Sequence, residues 1–255
     1  MTHIWRLLKH GAASAAHNMA TDEAILRHVT SGKSPNTLRF YTWDPSAVSI
    51  GYFQGIEQEV DLAVCRDHNV AVVRRLTGGG AVYHDRDGEV TYSLSIEDTY
   101  PGLPAKVLDS YRVLCAGLIK GFEILGLAAE FKPINDIQVN GKKISGNAQT
   151  RRFGGILQHG TLLCRVNPRL MFALLKVPDE KIRDKMIQAV EERVTSVERE
   201  LGQVDREAIT QAMIAGFAEA LGIELIAGTL LASEIAMAEQ IKTERYANQD
   251  WNFKR

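Results

Sequence analysis

Cysteine is scarce in this 255-residue chain: Cys65, Cys115 and Cys164 are odd in number and have no metal-ligand spacing. A disulfide framework and a cysteine zinc site are therefore excluded, and small residues suited to burial are expected instead. Long apolar runs are lacking too. None reaches the ~18 residues that would suggest a membrane span, and the opening MTHIWRLLKHGAASAAH has no continuous apolar stretch of the signal-peptide kind, so a cytoplasmic protein is expected. Neither sign of charge is in excess: 30 Lys+Arg against 31 Asp+Glu leave a formal net charge of -1. Such a balance gives no general attraction for nucleic acid or membrane surfaces, so a bound anion must be met by local groups.

With 45% apolar and 24% charged residues, the chain can bury a full core. Helical spacing marks 17–28 and 105–125. Thr37–Gln54 reads as two strands broken at Asp44-Pro45, and 57–68 as a short helix. Strands are expected at 70–76, 89–96, 139–144 and 157–166, with Gly141 at a tight turn. Helices follow at 205–221 and 232–248, with a short strand between them. Strands early and helices late predict an α+β fold, a mixed β-sheet core flanked by helices. Residues 1–255 are expected to form a single domain, mostly helical from about residue 168, with no separate accessory domain.

Between two apolar runs lies RRLTGGGAVYHD, Arg74 to Asp85. Three consecutive glycines cost backbone entropy and suit a chain that takes positive φ or closely approaches another surface. The spacing fits neither a P-loop nor a dinucleotide-binding turn, because a strand follows the loop. Arg74 and Arg75 supply fixed donors for carboxylate or phosphate. Adjacent on a strand, they point to opposite faces, so one enters the site. Thr77, His84 and Asp85 add polar groups. Downstream, PINDIQVNGKKISGNAQTRRFGGILQHGTLL, Pro133 to Leu163, holds Asn135-Asp136 as a candidate magnesium site, Lys142 or Lys143 as a phosphate contact, and His159-Gly160-Thr161 opening another strand.

On these residues the chain resembles the lipoate-protein ligase A family of the biotin/lipoate protein ligase superfamily. RRLTGGGAVYHD is similar to its signature, and NDI, GKKISGNA and QHGTLL to its later blocks. LKVPDEKIRDK and ERVTSV extend the likeness. The resemblance implies the catalytic-domain fold of that superfamily and an ATP-dependent reaction: lipoate becomes lipoyl-AMP, and the lipoyl group then passes to a lysine of a lipoyl-domain acceptor. Acceptors of that kind are a 2-oxoacid dehydrogenase E2 or a glycine cleavage H protein. The implied cofactors are ATP and Mg2+, with lipoate as substrate. Lys143 would be the catalytic cation and Asp136 the metal ligand. Arg74, as first arginine of the motif, Gly78, Gly79, Gly80, Val82, Tyr83, His84, Asp136, His159, Gly160 and Thr161 would bind the substrate or adenylate, with glycine N–H groups facing the carbonyl and phosphate. An alanine in the triple glycine would intrude.

The resemblance also brings alternatives. Octanoyl or lipoyl transferases of the superfamily use no ATP and carry the acyl group on a cysteine. Their nucleophile lies in the loop occupied here by FKPINDI, Phe131–Ile137, which has no cysteine; that favours the ligase. A non-catalytic lipoate-binding regulator is the other alternative, disfavoured by the intact Asp136 and Lys143. Single-chain bacterial ligases continue into a small C-terminal domain, whereas this sequence stops at ANQDWNFKR, so a separate small accessory subunit is expected.

Overall fold

A computed structural model of the chain describes residues 3–176, 180–203 and 205–254. The strands are β1 (His3–Ala13), β2 (Thr37–Trp43), β3 (Ala47–Ile50), β4 (Ala71–Arg74), β5 (Val82–His84), β6 (Glu89–Glu97), β7 (Ala129–Lys132), β8 (Asp136–Val139), β9 (Lys142–Arg152), β10 (Gly155–Leu163) and β11 (Ile223–Ala227). The helices are α1 (Ala15–Thr30), α2 (Ile56–Glu59), α3 (Leu62–Asp67), α4 (Val107–Ile124), α5 (Pro168–Leu174), α6 (Glu180–Arg193), α7 (Val197–Leu201), α8 (Arg206–Leu221), α9 (Ala232–Ile241) and α10 (Gln249–Asn252).

The main sheet is mixed, in the order β11-β1-β2-β6-β10-β9-β8-β7, and a smaller sheet runs β4-β3-β5. β6 shows how the sequence selects its two faces. Val90, Tyr92, Leu94 and Ile96 enter a core with Leu114, Leu118 and Phe122 of α4 and Met213 and Phe217 of α8. The alternating Thr91, Ser93 and Ser95 are buried on the other side, where Ser93 reaches Asp22 of α1; period-two side-chain alternation requires this split. Helices α4 and α8 approach closely because both carry glycine at the crossing. A Cβ on Gly216 would lie 2.3 Å from the Gly121 nitrogen. On the opposite face, α1 and α9 share a cluster with Tyr41, Trp43 and Tyr246.

The expected α+β class and most elements are present; β5 and β7 were not expected, and three further differences have clear causes. The stretch 139–144 is not one strand but the turn of the β8–β9 hairpin, where Asn140 and Gly141 take φ of 51° and 73°. The stretch 57–68 splits into α2 and α3 because Asp61 caps α3 through the amides of Ala63 and Val64. β1 was not expected at all. Its charged and small residues hide the pattern, and parallel pairing with β2 and β11, far apart in sequence, holds it. Part of LKVPDEKIRDK lies outside the described residues.

Candidate active site

The smaller sheet and the main sheet meet around a cavity of about 360 Å³. Met19, Trp43, Ala81, Val82, Leu163 and Met171 give it apolar walls, while Ser49, Arg75, His84, Lys143, Asn147, His159 and Thr161 supply polar groups. The two distant motifs thus converge. Gly79, Gly80, Val82, Tyr83 and His84 line it from the glycine loop, and Lys143, His159, Gly160 and Thr161 from β9 and β10. Gly78 and Asp136 are not among the lining residues.

Arg74 does not enter. Its buried guanidinium donates to the carbonyls of Gly51, Tyr52, Gln54, Trp251, Asn252 and Lys254, so it fastens the β3–α2 loop to the C-terminal segment. The expectation for Arg74 is therefore corrected: strand alternation turns Arg75, not Arg74, toward the cavity. Arg75 donates to the Ser49 carbonyl (2.9 Å), the Ser49 hydroxyl (3.2 Å), and the Gly78 and Gly80 carbonyls (both 2.8 Å). Burial pushes its pKa down to about 10, still far above neutrality.

These bonds explain part of the glycine run. Gly79 takes φ of 98°, and a Cβ added to Gly51 would lie 1.9 Å from the Gly79 carbonyl oxygen. The backbone does approach another surface, that of its own β3 strand. At Gly78 and Gly80 an added Cβ meets no protein atom within 4 Å, so packing within the protein does not demand glycine there. Among the described residues, no hydrogen bond uses the N–H of Gly79 or Gly80.

Lys143 Nζ contacts Asp136 Oδ1 at 2.7 Å across the β8–β9 hairpin. Gly146 lets the lysine cross, since a Cβ there would lie 2.7 Å from its Cε and Nζ. One carboxylate oxygen of Asp136 is taken by Lys143, and among the described residues no group of three or more His, Cys, Asp or Glu gathers that could hold a metal by itself.

Deeper in the site, His159 Nε2 meets Thr77 Oγ1 at 2.8 Å. Its Nδ1 lies 3.7 Å from Asp22 Oδ2, a contact too long for a hydrogen bond. Burial holds the His159 pKa below its ordinary value. Burial pushes the Asp22 carboxyl up, but Arg39, His159 and Ser93 outweigh it and hold it below the usual aspartate value. Ser49 and Glu89 were not singled out as site residues from sequence, because only the fold brings them to the glycine loop.

All three cysteines are buried and none lines the cavity. Burial pushes their thiols up, to about 11 for Cys65 and about 12 for Cys115 and Cys164, the opposite of an activated nucleophile.

Residues 14–218 match the lipoyl protein ligase A/B catalytic domain, and the chain belongs to that family. It is similar to octanoyltransferase LipM of Kyrpidia tusciae, 41% identical, with 98% of this chain and 99% of the relative covered. Among solved structures it resembles a bi-partite lipoate protein ligase of Thermoplasma acidophilum, described with its E2 lipoyl domain (TM-score 0.89, 34% identity, 98% and 96% covered). A putative lipoate protein ligase of the same organism, with bound lipoic acid, has a TM-score of 0.81 and 30% identity, with 99% and 100% covered.

The expected ATP-dependent lipoate ligase activity is thereby corrected, because full-length relatives at 33–41% identity are named octanoyltransferases. The solved lipoate protein ligases are 30–34% identical to this chain. A loop without cysteine excludes one nucleophile, not acyl transfer itself. The expected separate subunit finds no support in these relatives, which align over 98–100% of their own length. Among the described residues no helix is long and apolar enough to cross a membrane.

Proposed function

We propose that this enzyme transfers an octanoyl-class acyl group from a thioester donor to a lysine of a lipoyl-domain acceptor, without ATP. The observation that carries the reading is the cavity itself, about 360 Å³ with mostly apolar walls and Lys143 among its polar groups. Its volume suits a medium-length acyl chain, with the reacting carbonyl toward the polar side. A thioester is already activated, so passing its acyl group to an amine forms a more stable amide and needs no nucleotide.

In this reading the Lys143 ammonium, held by Asp136, stabilises the oxyanion that develops at the acyl carbonyl. The Gly79 and Gly80 N–H groups face the same charge, and apolar walls exclude water that would hydrolyse the thioester. Tyr83, Gly160 and Thr161 shape the wall. The single catalytic domain over residues 1–255 and the cytoplasmic setting belong to the same proposal.

The test is acyl transfer to an apo lipoyl domain, followed by intact mass, with an octanoyl thioester and no nucleotide. Octanoylation of the domain under those conditions is the expected result. A strict requirement for ATP and free acid would overturn the reading. The variant with Cys65, Cys115 and Cys164 all changed to Ser is expected to retain transfer, since none of the three thiols reaches the cavity.

A further inference from the structure

We infer that Ser49 is the acyl-carrying nucleophile of this enzyme, activated by His84 and oriented by Glu89; the inference rests on the acyl-transfer reading above. Ser49 Oγ lies 2.8 Å from His84 Nε2, and His84 Nδ1 lies 2.8 Å from Glu89 Oε1. This is the nucleophile–base–carboxylate arrangement of serine acyl transfer, which is recognised by geometry and not by sequence order. Ser49 and His84 both line the cavity.

The fold builds the arrangement from two sheets. In the β3–β5 ladder His84 stands opposite Ala47, so Ser49, two residues further along β3, is its diagonal neighbour on the same face. Glu89 comes from the first position of β6 in the main sheet. The Trp43 ring stacks on the imidazole at 4.1 Å with 17° between planes, which fixes the ring's rotation.

The hydrogen bonds also set every proton. Trp43 Nε1 can only donate, so Thr91 Oγ1 accepts from it at 2.8 Å and donates its own proton to Glu89 Oε1 at 2.5 Å. The same Glu89 oxygen accepts from His84 Nδ1–H. His84 Nε2 is thereby the unprotonated nitrogen and accepts from the Ser49 hydroxyl. Arg75 Nη1 donates to the Ser49 oxygen at 3.2 Å, and its positive charge favours negative charge developing there. The remaining Glu89 oxygen is buried without a partner among the described residues.

The steps balance. Ser49 Oγ bonds to the thioester carbonyl carbon and its proton passes to His84 Nε2. The C–S bond breaks, the thiolate takes that proton, and an O-acyl serine remains. The acceptor lysine amine then attacks the ester carbonyl, giving its proton through His84 to the departing serine oxygen as the amide forms. No oxidant, reductant or further reactant is required.

The experiment uses the octanoyl thioester of N-acetylcysteamine and the whole protein, first without acceptor and then with an apo lipoyl domain. Wild type is expected to gain one acyl group, mapped to Ser49 by peptide mass spectrometry, and to hand it to the added domain. Ser49→Ala, nearly isosteric, is expected to lose the adduct and roughly 10²–10⁴-fold of the transfer rate, the range of a lost positioned acid–base pair. Ser49→Cys should carry a hydroxylamine-labile thioester instead, and an alkyl fluorophosphonate should label Ser49 in wild type but not in His84→Gln. An acyl group on another residue, or wild-type transfer by Ser49→Ala, overturns the serine assignment and leaves the transferase reading standing. Absence of both adduct and transfer from thioester donors overturns both.

Discussion

Two adjacent lysines and two adjacent arginines separate chemistry from scaffolding at the scale of single residues. Lys143 lines the cavity and Lys142 does not. Lys143→Ala is therefore expected to lower transfer by roughly a hundredfold, corresponding to about 3 kcal/mol of lost oxyanion stabilisation, while Lys142→Ala changes it little; equal effects in steady-state assays would dismiss the assignment. Arg74 and Arg75 divide in the same way. Removing Arg74 strips the donor shared by carbonyls of the β3–α2 loop and the C-terminus, so Arg74→Ala is expected to destabilise the fold by about 3 kcal/mol, read as a lower denaturation midpoint. Arg75→Ala should act first on transfer, because its guanidinium holds the glycine loop and the Ser49 oxygen.

At the scale of elements, the glycine loop is positioned by a contact between backbones. Gly51, just past β3, and Gly79 approach so closely that no side chain fits at Gly51. Gly51→Ala is expected to push the loop into the cavity and reduce transfer at least tenfold, with helical content unchanged by circular dichroism. Gly78→Ala meets open space within the protein and serves as the comparison: if it leaves acyl transfer intact, the loop's glycines answer to chain packing and not to ligand. The β8–β9 hairpin carries a related demand. Its tight turn sets Asp136 beside Lys143, and Gly146 leaves room for the lysine stem.

The whole molecule carries a charge network behind the site that couples stability to pH. Arg39 donates to Asp22, Asn18 and His10 across α1, β1 and β2. Burial, then Arg39, pushes the His10 pKa down to about 4. Between its ordinary value of 6.5 and about 4 the unfolded chain therefore binds a proton that the folded chain does not. That contribution is fully present above pH 6.5 and is lost as pH falls toward 4. Because the ring is only partly buried, the loss is about 1–2 kcal/mol after solvent screening. Urea midpoints at pH 7 and 5 should differ accordingly in wild type. His10→Gln keeps an acceptor for Arg39 and should reduce the difference, and an unaltered pH dependence would remove His10 from the account.

What the sequence determined by itself was local or periodic: the α+β class, the helices at 107–124 and 206–221, the glycine loop, and the two motif blocks with Lys143 and His159. Such features are legible because hydrophobic period, capping chemistry and glycine runs act within a few residues. What only the tertiary structure decided was which side chains meet. Alternation allowed either arginine to enter the site, but the C-terminal carbonyls, some 177 residues away from Arg74 in sequence, claimed Arg74 and left Arg75 for the cavity. Ser49, His84 and Glu89 sit on three strands whose register comes from pairing across two sheets. No local pattern marks that pairing, because it is fixed by the joint burial of distant apolar faces.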